Sequence, residues 1–191
     1  MKALEQKIIN EGKVLPGNIL KVGSFLNQQI DVAFLREIGE EIKNIYNNCG
    51  VTKILTIEAS GIALAVAAGM AMNIPAVFAK KGKSANVSGD VYKTVVHSYT
   101  HNSDYDVVVP KDYLNSSDNV VIVDDFLANG KALEGLIDIV NQAGAKLVGC
   151  TCAVEKGFQG GGDALREKGI RVESLAVIDE MNEDKIRFRE I

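Results

Sequence analysis

A run of four β-branched apolar residues that leads into two carboxylates is the feature that most constrains this chain. Residues 120–123 have the composition of a strand that is buried on both faces, as in a parallel sheet. Asp124 and Asp125 follow where such a strand would surface, and a turn with Gly130 leads into a helical pattern. Ligands of open α/β sheets bind at the carboxyl ends of strands, where helix N-termini offer N–H groups to anions. The pattern therefore indicates a sugar phosphate, with the acids binding its hydroxyls or a metal ion.

The same residues also fit an ordinary strand–turn–helix unit. Any such unit needs a glycine in its turn and tolerates acids near the helix start, where they complement the helix dipole. The stretch is not a Walker A loop, since only one glycine precedes Lys131 and Ala132 replaces the metal-binding hydroxyl. It is not a dinucleotide fingerprint either, because it lacks the G-x-G-x-x-G spacing. The residues alone leave a phosphate site and a structural turn open.

A second unit of this kind occurs earlier in the chain. Residues 53–57 are predicted to form a strand, Glu58 to Ser60 a tight turn, and Gly61 to Met72 a helix rich in small residues. The N–H groups of this turn fit a second phosphate, although the pattern is equally that of an ordinary βα connection. Two anion sites at neighbouring strand ends would suit a ligand with phosphates at both ends.

Length, charge and cysteine content restrict the remaining possibilities. The 191 residues fit one domain, and a net charge of −4 gives no general attraction to nucleic acid. The longest apolar stretch, 61–72, is too short and too rich in alanine for a membrane span, and the N-terminus lacks a signal-peptide core. Cys49, Cys150 and Cys152 form neither a disulfide framework nor a metal set. We therefore expect a cytoplasmic protein with small-molecule partners, no nucleic acid and no membrane.

Predicted strands alternate with predicted helices along most of the chain. The helices are predicted at 2–11, 31–46, 61–72, 131–143 and 163–168, and the strands at 53–57, 75–79, 91–99, 105–109, 120–123, 146–155 and 171–178. Residues 19–30 show neither period and are expected to form an irregular cap, whereas Gly160 to Gly162 are typical of a flexible surface loop. The charged tail from Asp179 has no predicted element. The alternation predicts a single α/β domain with a parallel sheet flanked by helices.

The stretch 120–132 resembles the phosphoribosyl pyrophosphate (PRPP) signature of the type I phosphoribosyltransferases. Its Asp-Asp-Phe-Leu-Ala-Asn-Gly form is similar to that of the bacterial xanthine phosphoribosyltransferases, and the resemblance extends along most of the chain. It implies the type I phosphoribosyltransferase fold: a central, mainly parallel sheet flanked by helices, a small hood over the active site and a mobile antiparallel arm. The single domain would be 1–191, with the hood from about 12–30 and 156–165 and the mobile lid from about 81–105.

The resemblance implies transfer of phosphoribosyl from PRPP to N9 of xanthine, giving xanthosine 5′-monophosphate and pyrophosphate in purine salvage. Asp124 and Asp125 would hold the ribose hydroxyls, directly or through Mg²⁺ bound mainly by substrate oxygens. The loop expected to hold the 5′-phosphate is Ala128, Asn129, Gly130, Lys131 and Ala132. The residues expected to bind the pyrophosphate are Ser60, Gly61, Lys80, Lys81 and Lys83.

For the base, the positions that match the family's purine pocket are Leu20, Asn27, Lys156 and Phe158. An ammonium can only donate hydrogen bonds, so Lys156 would select a 6-oxo purine, and Phe158 would stack on the ring. The hypoxanthine–guanine branch has a proposed general base at the position of Ala128. Because alanine stands there, proton removal would use another group such as Glu58, a water, or no dedicated residue.

Other bases, a different function and the assembly state remain open at this point. The base could instead be hypoxanthine, guanine or adenine, although Lys156 argues against adenine, or the domain could be a PRPP-binding regulator without catalysis. The family resemblance further implies a homodimer. His97 and His101 are expected to be structural or exposed rather than metal ligands, and Tyr99 is a weak candidate for pyrophosphate binding.

Overall fold

The computed structural model describes residues 1–82, 89–98, 103–183 and 185–190. Over these residues the chain forms one eight-stranded sheet with helices on both faces and one two-stranded sheet. The helices are α1 (Lys2–Glu11), α2 (Val32–Ile45), α3 (Gly61–Met72), α4 (Lys131–Gln142) and α5 (Gly161–Glu167). The strands are β1 (Lys13–Leu15), β2 (Ile19–Lys21), β3 (Lys53–Ile57), β4 (Ala76–Lys81), β5 (Val91–Ser98), β6 (Ser103–Pro110), β7 (Asn119–Leu127), β8 (Lys146–Lys156), β9 (Val172–Met181) and β10 (Ile186–Phe188).

The strand order of the large sheet is β10-β9-β8-β7-β3-β4-β6-β5. The five inner strands, β9 to β4 in this order, run parallel, whereas β10, β6 and β5 join antiparallel at the two edges. The mainly parallel sheet expected from the sequence is therefore confirmed. Because β3 and β7 are parallel neighbours, the turns that follow them emerge at the same edge of the sheet.

Alternation along the central strands divides the core into two layers. Ile54 and Val121 face the layer that contains α1, α2 and α3, whereas Leu55 and Ile122 face the layer that contains α4. All four side chains are completely buried. Each contributes about 1.5–3 kcal/mol relative to an exposed position, which explains the near-continuous apolar runs in these strands.

Several predicted elements agree with the structure, and several strands extend beyond their predicted ends. The bounds of α1, β3 and α3 match the prediction. The strand predicted for 120–123 continues to Leu127, because it keeps pairing with β8 as far as Glu155. The strand predicted for 75–79 continues through Lys80 and Lys81, which pair with β6. The paired acids and the first two lysines thus lie within strands and not after them.

The segment expected to be an irregular cap has regular structure, so that prediction is wrong. Strands β1 and β2 form a hairpin, and Gly23–Asn27 forms one π-helical turn that buries Phe25 and Leu26. The charged tail also contains β10, which the sequence did not reveal. Strands of three residues are too short to show a period of two, which is why the hydrophobic pattern missed them.

The antiparallel arm is present: the strand predicted at 91–99 forms β5, pairs with β6, and packs with it on the body of the protein. Strands β5 and β6 pair along their whole lengths, and Val96 and Val107 are buried with the side chains of α4. The side chain of Gln142 hydrogen-bonds both backbone polar groups of Lys93, at 2.8 and 3.2 Å. The arm is thus docked on α4, and its motion as a lid remains a prediction.

Some expectations fall on residues that the structure does not describe, namely Lys83, Tyr99 and His101. Cys150 and Cys152 are buried in the core layer that contains α4. No helix in the described ranges is long and apolar enough to cross a membrane.

Candidate active site

The two anion-binding turns predicted from the sequence lie side by side. A Cβ on Gly61, the first residue of α3, would lie 2.9 Å from Oδ1 of Asp124 and 2.2 Å from Oγ1 of Thr56. Only glycine allows this approach, so the start of α3 packs directly on the end of β7. The two turns, which are far apart in the chain, therefore form one continuous edge of the sheet.

Asp124 is a buried carboxylate at the centre of this edge. Its side chain accepts a hydrogen bond of 2.9 Å from the backbone N–H of Asp125, and 6% of the residue is exposed. Burial raises the pKa of Asp124 well above its usual range, and the charge of Asp125 adds to the effect. A cation or a set of hydroxyl donors beside the two acids would offset this cost. The donor set therefore fits the Mg²⁺ that the family resemblance implies.

Metal binding by side chains alone has little support in the described part of the chain. No group of three or more His, Cys, Asp or Glu side chains there could hold a metal ion.

The hydroxyl of Thr56 is the one buried side-chain oxygen or nitrogen in the described residues that lacks a hydrogen-bond partner. This hydroxyl lies under the N-terminus of α3, at the turn expected to bind pyrophosphate.

Glu58 connects the first turn to the end of β4. One oxygen of its carboxylate accepts a 2.6 Å hydrogen bond from the backbone N–H of Lys81, and a cis peptide bond joins Glu58 to Ala59. The ammonium of Lys81 lies 5.4 Å from the ring centroid of Tyr105 on β6. The structure thus places Lys81 next to the turn expected to bind pyrophosphate, and the Glu58 carboxylate contacts the backbone there. Lys80 is partly buried in β4, one residue before it.

The second turn surrounds the N-terminus of α4. Gly130 has a φ of +83°, a conformation that favours glycine, and the side chain of Asn129 accepts a 3.1 Å hydrogen bond from the N–H of Lys131. The Lys131 ammonium pairs with Glu134 at 2.7 Å. The Asn129 side chain therefore stabilises the turn itself, and the ion pair with Glu134 holds the Lys131 side chain against α4. Backbone N–H groups from Ala128 to Ala132 remain the main candidates for a phosphate.

A glycine that the sequence analysis assigned to a flexible loop supports this turn. The N–H of Gly161 donates to the carbonyl oxygen of Ala128 at 3.1 Å. A Cβ on Gly161 would lie 2.3 Å from that oxygen and 2.5 Å from the nitrogen of Gly130. The glycine run is thus a packing surface for the loop from Ala128 to Ala132. The prediction of a flexible surface loop is wrong at Gly161, which is the first residue of α5. Three consecutive glycines between a strand and a helix were the available signal.

The residues expected to bind the base come from two distant segments. The amide of Asn27 donates to Oδ2 of Asp125 at 3.2 Å, which places Asn27 at the acid pair. The ammonium of Lys156 donates to the carbonyl oxygen of Asn18 at 3.0 Å and lies 5.8 Å from the ring centroid of Phe126. Burial lowers the pKa of Lys156. The two segments of the expected hood are therefore in contact.

The two apolar candidates have different surroundings. Leu20 is 7% exposed and belongs to the core layer of α1 to α3. Phe158 is 38% exposed and lines a cleft of about 330 Å³ together with Asn18 and Asp179.

His97 lies on the arm, outside the two turns, and its Nδ1 is 2.7 Å from the carboxylate of Asp104.

Comparisons with known proteins identify the family of the chain. Residues 27–178 match the family model of the phosphoribosyl transferase domain. The chain is 52% identical to xanthine phosphoribosyltransferase 1 of Clostridium perfringens, over 99% of this chain and 100% of that protein. It is 51% identical to xanthine phosphoribosyltransferase of Lachnoclostridium phytofermentans, over 95% and 94% of the two chains.

Solved structures show the same fold at lower identity. The adenine phosphoribosyltransferase (APRTase) of Giardia lamblia, complexed with 9-deazaadenine, superposes with a TM-score of 0.78 at 22% identity, over 94% of this chain and 98% of that one. The Trypanosoma brucei adenine phosphoribosyl transferase gives 0.76 at 21% identity, over 91% and 78%. The chain therefore belongs to the phosphoribosyltransferase family, as a homologue of the xanthine phosphoribosyltransferases.

Proposed function

We propose that this protein transfers the phosphoribosyl group of PRPP to N9 of xanthine, giving xanthosine 5′-monophosphate and pyrophosphate in purine salvage. The observation that carries the proposal is the contact between Gly61 and Asp124. It joins two helix N-termini at one sheet edge, with the acid pair between them, which suits a sugar that has phosphates at both ends. The 52% identity to a xanthine phosphoribosyltransferase supports the choice of base.

PRPP would lie across the edge with its pyrophosphate at the turn of Ser60 and Gly61. Lys80 and Lys81 add positive charge on that side, as would Lys83. The 5′-phosphate would contact the loop from Ala128 to Ala132, and the carboxylates of Asp124 and Asp125 would accept hydrogen bonds from the ribose hydroxyls. Charge-assisted hydrogen bonds of this kind contribute about 1.5–3 kcal/mol each.

In the reaction, N9 of the base forms a bond to C1′ while the bond from C1′ to pyrophosphate breaks. Positive charge grows on the sugar and negative charge on the leaving group, so the protein contributes by positioning and electrostatics. Asp124 and Asp125 hold the sugar beside their negative charge. Asp124 and Asp125, together with substrate oxygens, would hold Mg²⁺, which would supply positive charge for the leaving pyrophosphate.

The base would bind between Asn27 and Lys156. The ammonium of Lys156 only donates, which favours an oxo purine over an amino purine, and the amide of Asn27 can donate or accept at a ring edge. Phe158 and Leu20 would add apolar contact. Because Ala128 carries no carboxylate and Glu58 accepts a hydrogen bond from Lys81, a water or the acidity of xanthine itself would account for the loss of the N9 proton.

We also propose that the protein is a homodimer in the cytoplasm, as the family resemblance implies. An apolar face on α2 and α3 supports the dimer, since Val32, Val66 and Met70 are 74%, 46% and 78% exposed. They line a cleft of about 530 Å³ with Leu35 and Ala67. Exposed apolar residues that cluster in this way are typical of protein interfaces.

Pyrophosphate release in the presence of PRPP and Mg²⁺, measured with xanthine, guanine, hypoxanthine and adenine in turn, tests the proposal. We expect xanthine to give the highest kcat/KM. A higher kcat/KM for guanine or hypoxanthine would change the assigned base but keep the reaction. Binding of PRPP without release for any base would instead support a regulator.

A further inference from the structure

A buried carboxylate that has no part in the proposed chemistry lies at the end of β8. Glu155 is 1% exposed, pairs in register with Leu127 and directly precedes Lys156. Arg166 of α5 binds both of its oxygens, at 2.9 and 2.6 Å, and the hydroxyl of Ser174 donates to it as well. This fork-like arrangement satisfies the buried charge and fixes the position of α5 relative to β8.

The ion pair is one end of a longer chain of charges. Arg166 also binds Asp163 at 2.9 Å, and Asp163 in turn accepts from both terminal nitrogens of Arg189, at 2.9 and 3.1 Å. Arg189 reaches Asp179 on β9 at 3.0 Å. We call these five residues, Glu155, Asp163, Arg166, Asp179 and Arg189, the charge network. Its bonds raise the pKa of Arg166, mainly through Glu155.

The charge network encloses the segment 156–162 from both ends. A Cβ on Gly157 would lie 2.7 Å from the Asp179 carboxylate, and one on Gly162 would lie 2.1 Å from the Glu155 carboxylate. Between these two contacts, Gly161 packs against the phosphate loop and hydrogen-bonds Ala128. The same segment begins with Lys156. The network therefore holds the segment that supports the phosphate loop at one point and carries a base-binding candidate at another.

Stability of the fold is a poor explanation for such a network. Removing the Glu155 carboxylate from water is costly, and apolar residues of similar volume often stabilise a fold as well as a buried ion pair or better. What a bidentate ion pair adds is a defined geometry. At Gly157, Gly161 and Gly162 the backbone of the segment itself makes the close contacts. The geometry of the ion pair therefore reaches the segment without a flexible side chain of the segment in between.

We propose that the charge network positions the 5′-phosphate loop through Gly161, so that Glu155 and Arg166 are positioning residues for PRPP binding. The inference rests on the proposed function, because it assigns the 5′-phosphate to this loop. Loosening the network would let the segment move away from Ala128 and Gly130, which would misplace the loop N–H groups. The pyrophosphate turn at Gly61 lies on β3 and α3, outside the network, and would keep its geometry.

The test measures the two ends of the site separately. Binding of ribose 5-phosphate and of pyrophosphate with Mg²⁺ is followed by calorimetry in the wild-type protein, Arg166→Met, Arg166→Lys and the double variant Glu155→Gln/Arg166→Met. The double variant leaves no unpaired buried charge and so guards against loss of folding. Lys43→Met is the control, since Lys43 pairs with Glu40 on the surface of α2, at 3.1 Å, outside the charge network.

We expect Arg166→Met and the double variant to weaken ribose 5-phosphate binding by about 10- to 100-fold, and pyrophosphate binding to change less than about twofold. Arg166→Lys should lie between these variants and wild type. Equal changes for both ligands, no change for either, or unfolding of all three variants would overturn the inference. Formation of xanthosine 5′-monophosphate by the wild-type protein is measured in parallel. Its absence would refute the proposed function while the calorimetry still decides the role of the network.

Discussion

The side-chain amide of Asn27 donates a hydrogen bond of 3.2 Å to Oδ2 of Asp125. Asn27 ends the π-helical turn near the N-terminus, whereas Asp125 lies on β7. Their contact places a base-binding candidate against a ribose-binding candidate, as the bond from N9 to C1′ requires. Since Asp125 would exchange this bond for a ribose hydroxyl, PRPP binding is expected to release the Asn27 amide for the base.

Asp125→Asn is expected to impair the use of PRPP while leaving the fold intact. The substitution replaces one carboxylate oxygen, which accepts from a ribose hydroxyl, by an NH₂ group that only donates. One of the two acceptor positions is therefore lost, and the negative charge beside C1′ is reduced. We expect kcat/KM for PRPP to fall at least about 100-fold, the scale found for lost electrostatic groups. Pyrophosphate release as a function of PRPP concentration measures this, with thermal unfolding as the control. Near-normal PRPP saturation would show that Asp125 does not bind the ribose.

Asp124→Asn should abolish activity and yet stabilise the protein at neutral pH. Burial and the neighbouring Asp125 raise the pKa of Asp124 in the folded state. Ionising the carboxyl therefore costs the folded state about 1.4 kcal/mol for each unit by which its pKa is raised. The amide keeps the oxygen that accepts from the N–H of Asp125 and removes the charge.

The stabilisation of the protein by Asp124→Asn is expected to depend on pH. The unfolded chain loses the Asp124 proton near its ordinary pKa of 3.8, whereas the folded chain keeps it to higher pH. Wild-type stability therefore falls as pH rises from that value through the raised pKa. Urea unfolding between pH 3 and pH 8 should show equal stability of the two proteins at the acid end and a growing advantage of Asp124→Asn above it. A constant difference would contradict the assignment.

Gly161→Ala is expected to raise the KM for PRPP. The added Cβ would meet backbone atoms of Ala128 and Gly130 within 2.5 Å, so the phosphate loop must move. We expect an increase of about 10-fold or more, since small displacements of positioning groups cost that much. Gly69→Ala is the matched control, because its Cβ would meet the backbone oxygen of Ile74 at 2.9 Å near the end of α3. A similar increase of KM in both variants would point to general destabilisation.

The sequence predicted the sheet and its two turns because their signals are local. Buried parallel strands read as apolar runs, and α2 has both a periodic apolar face and an N-cap, since Asp31 accepts a hydrogen bond from the N–H of Phe34. The end of β7 was predicted too early. Asp124 and Asp125 interrupt the apolar run, whereas pairing with β8 continues to Leu127. Pairing is a tertiary property that composition does not report.

What the sequence could not predict depends on contacts between distant residues. Arg166 and Glu155 are 11 residues apart, and their ion pair forms only because α5 turns back onto β8. The support that Gly161 gives to Ala128 spans a whole βα unit in the same way. The β10 strand exists because β9 offers it an edge. To predict any of these features, a tertiary contact would have to be known beforehand.

Met70→Glu is expected to convert the proposed homodimer into monomers. Met70 is 78% exposed on the apolar face of α3, where a carboxylate remains solvated in a monomer but would be desolvated in an interface. Sedimentation velocity of the wild-type protein should give a dimer, and that of the variant a monomer. Val95→Glu on the arm is a control, since Val95 is 59% exposed away from this face. A wild-type monomer, or a dimer in both variants, would refute the assignment.

Lys156→Met should raise the KM for xanthine and leave the KM for PRPP nearly unchanged. The methionine keeps most of the apolar stem beside Phe126 but removes a charge-assisted donor that contributes about 1.5–3 kcal/mol, so an increase of about 10- to 100-fold is expected. Burial lowers the pKa of Lys156, so this lysine loses its proton at a lower alkaline pH than an exposed lysine does. The affinity of the wild-type protein for the base should therefore also weaken from that lower pH.

Steady-state kinetics with each substrate varied in turn separates these two constants for Lys156→Met. Lys168→Met is the control, since Lys168 pairs with Glu134 at the surface, at 2.7 Å, away from the base. An unchanged KM for xanthine in Lys156→Met would remove this lysine from the base site. A joint rise of both KM values would instead mean that the hood, which Lys156 joins through Asn18, had lost its shape.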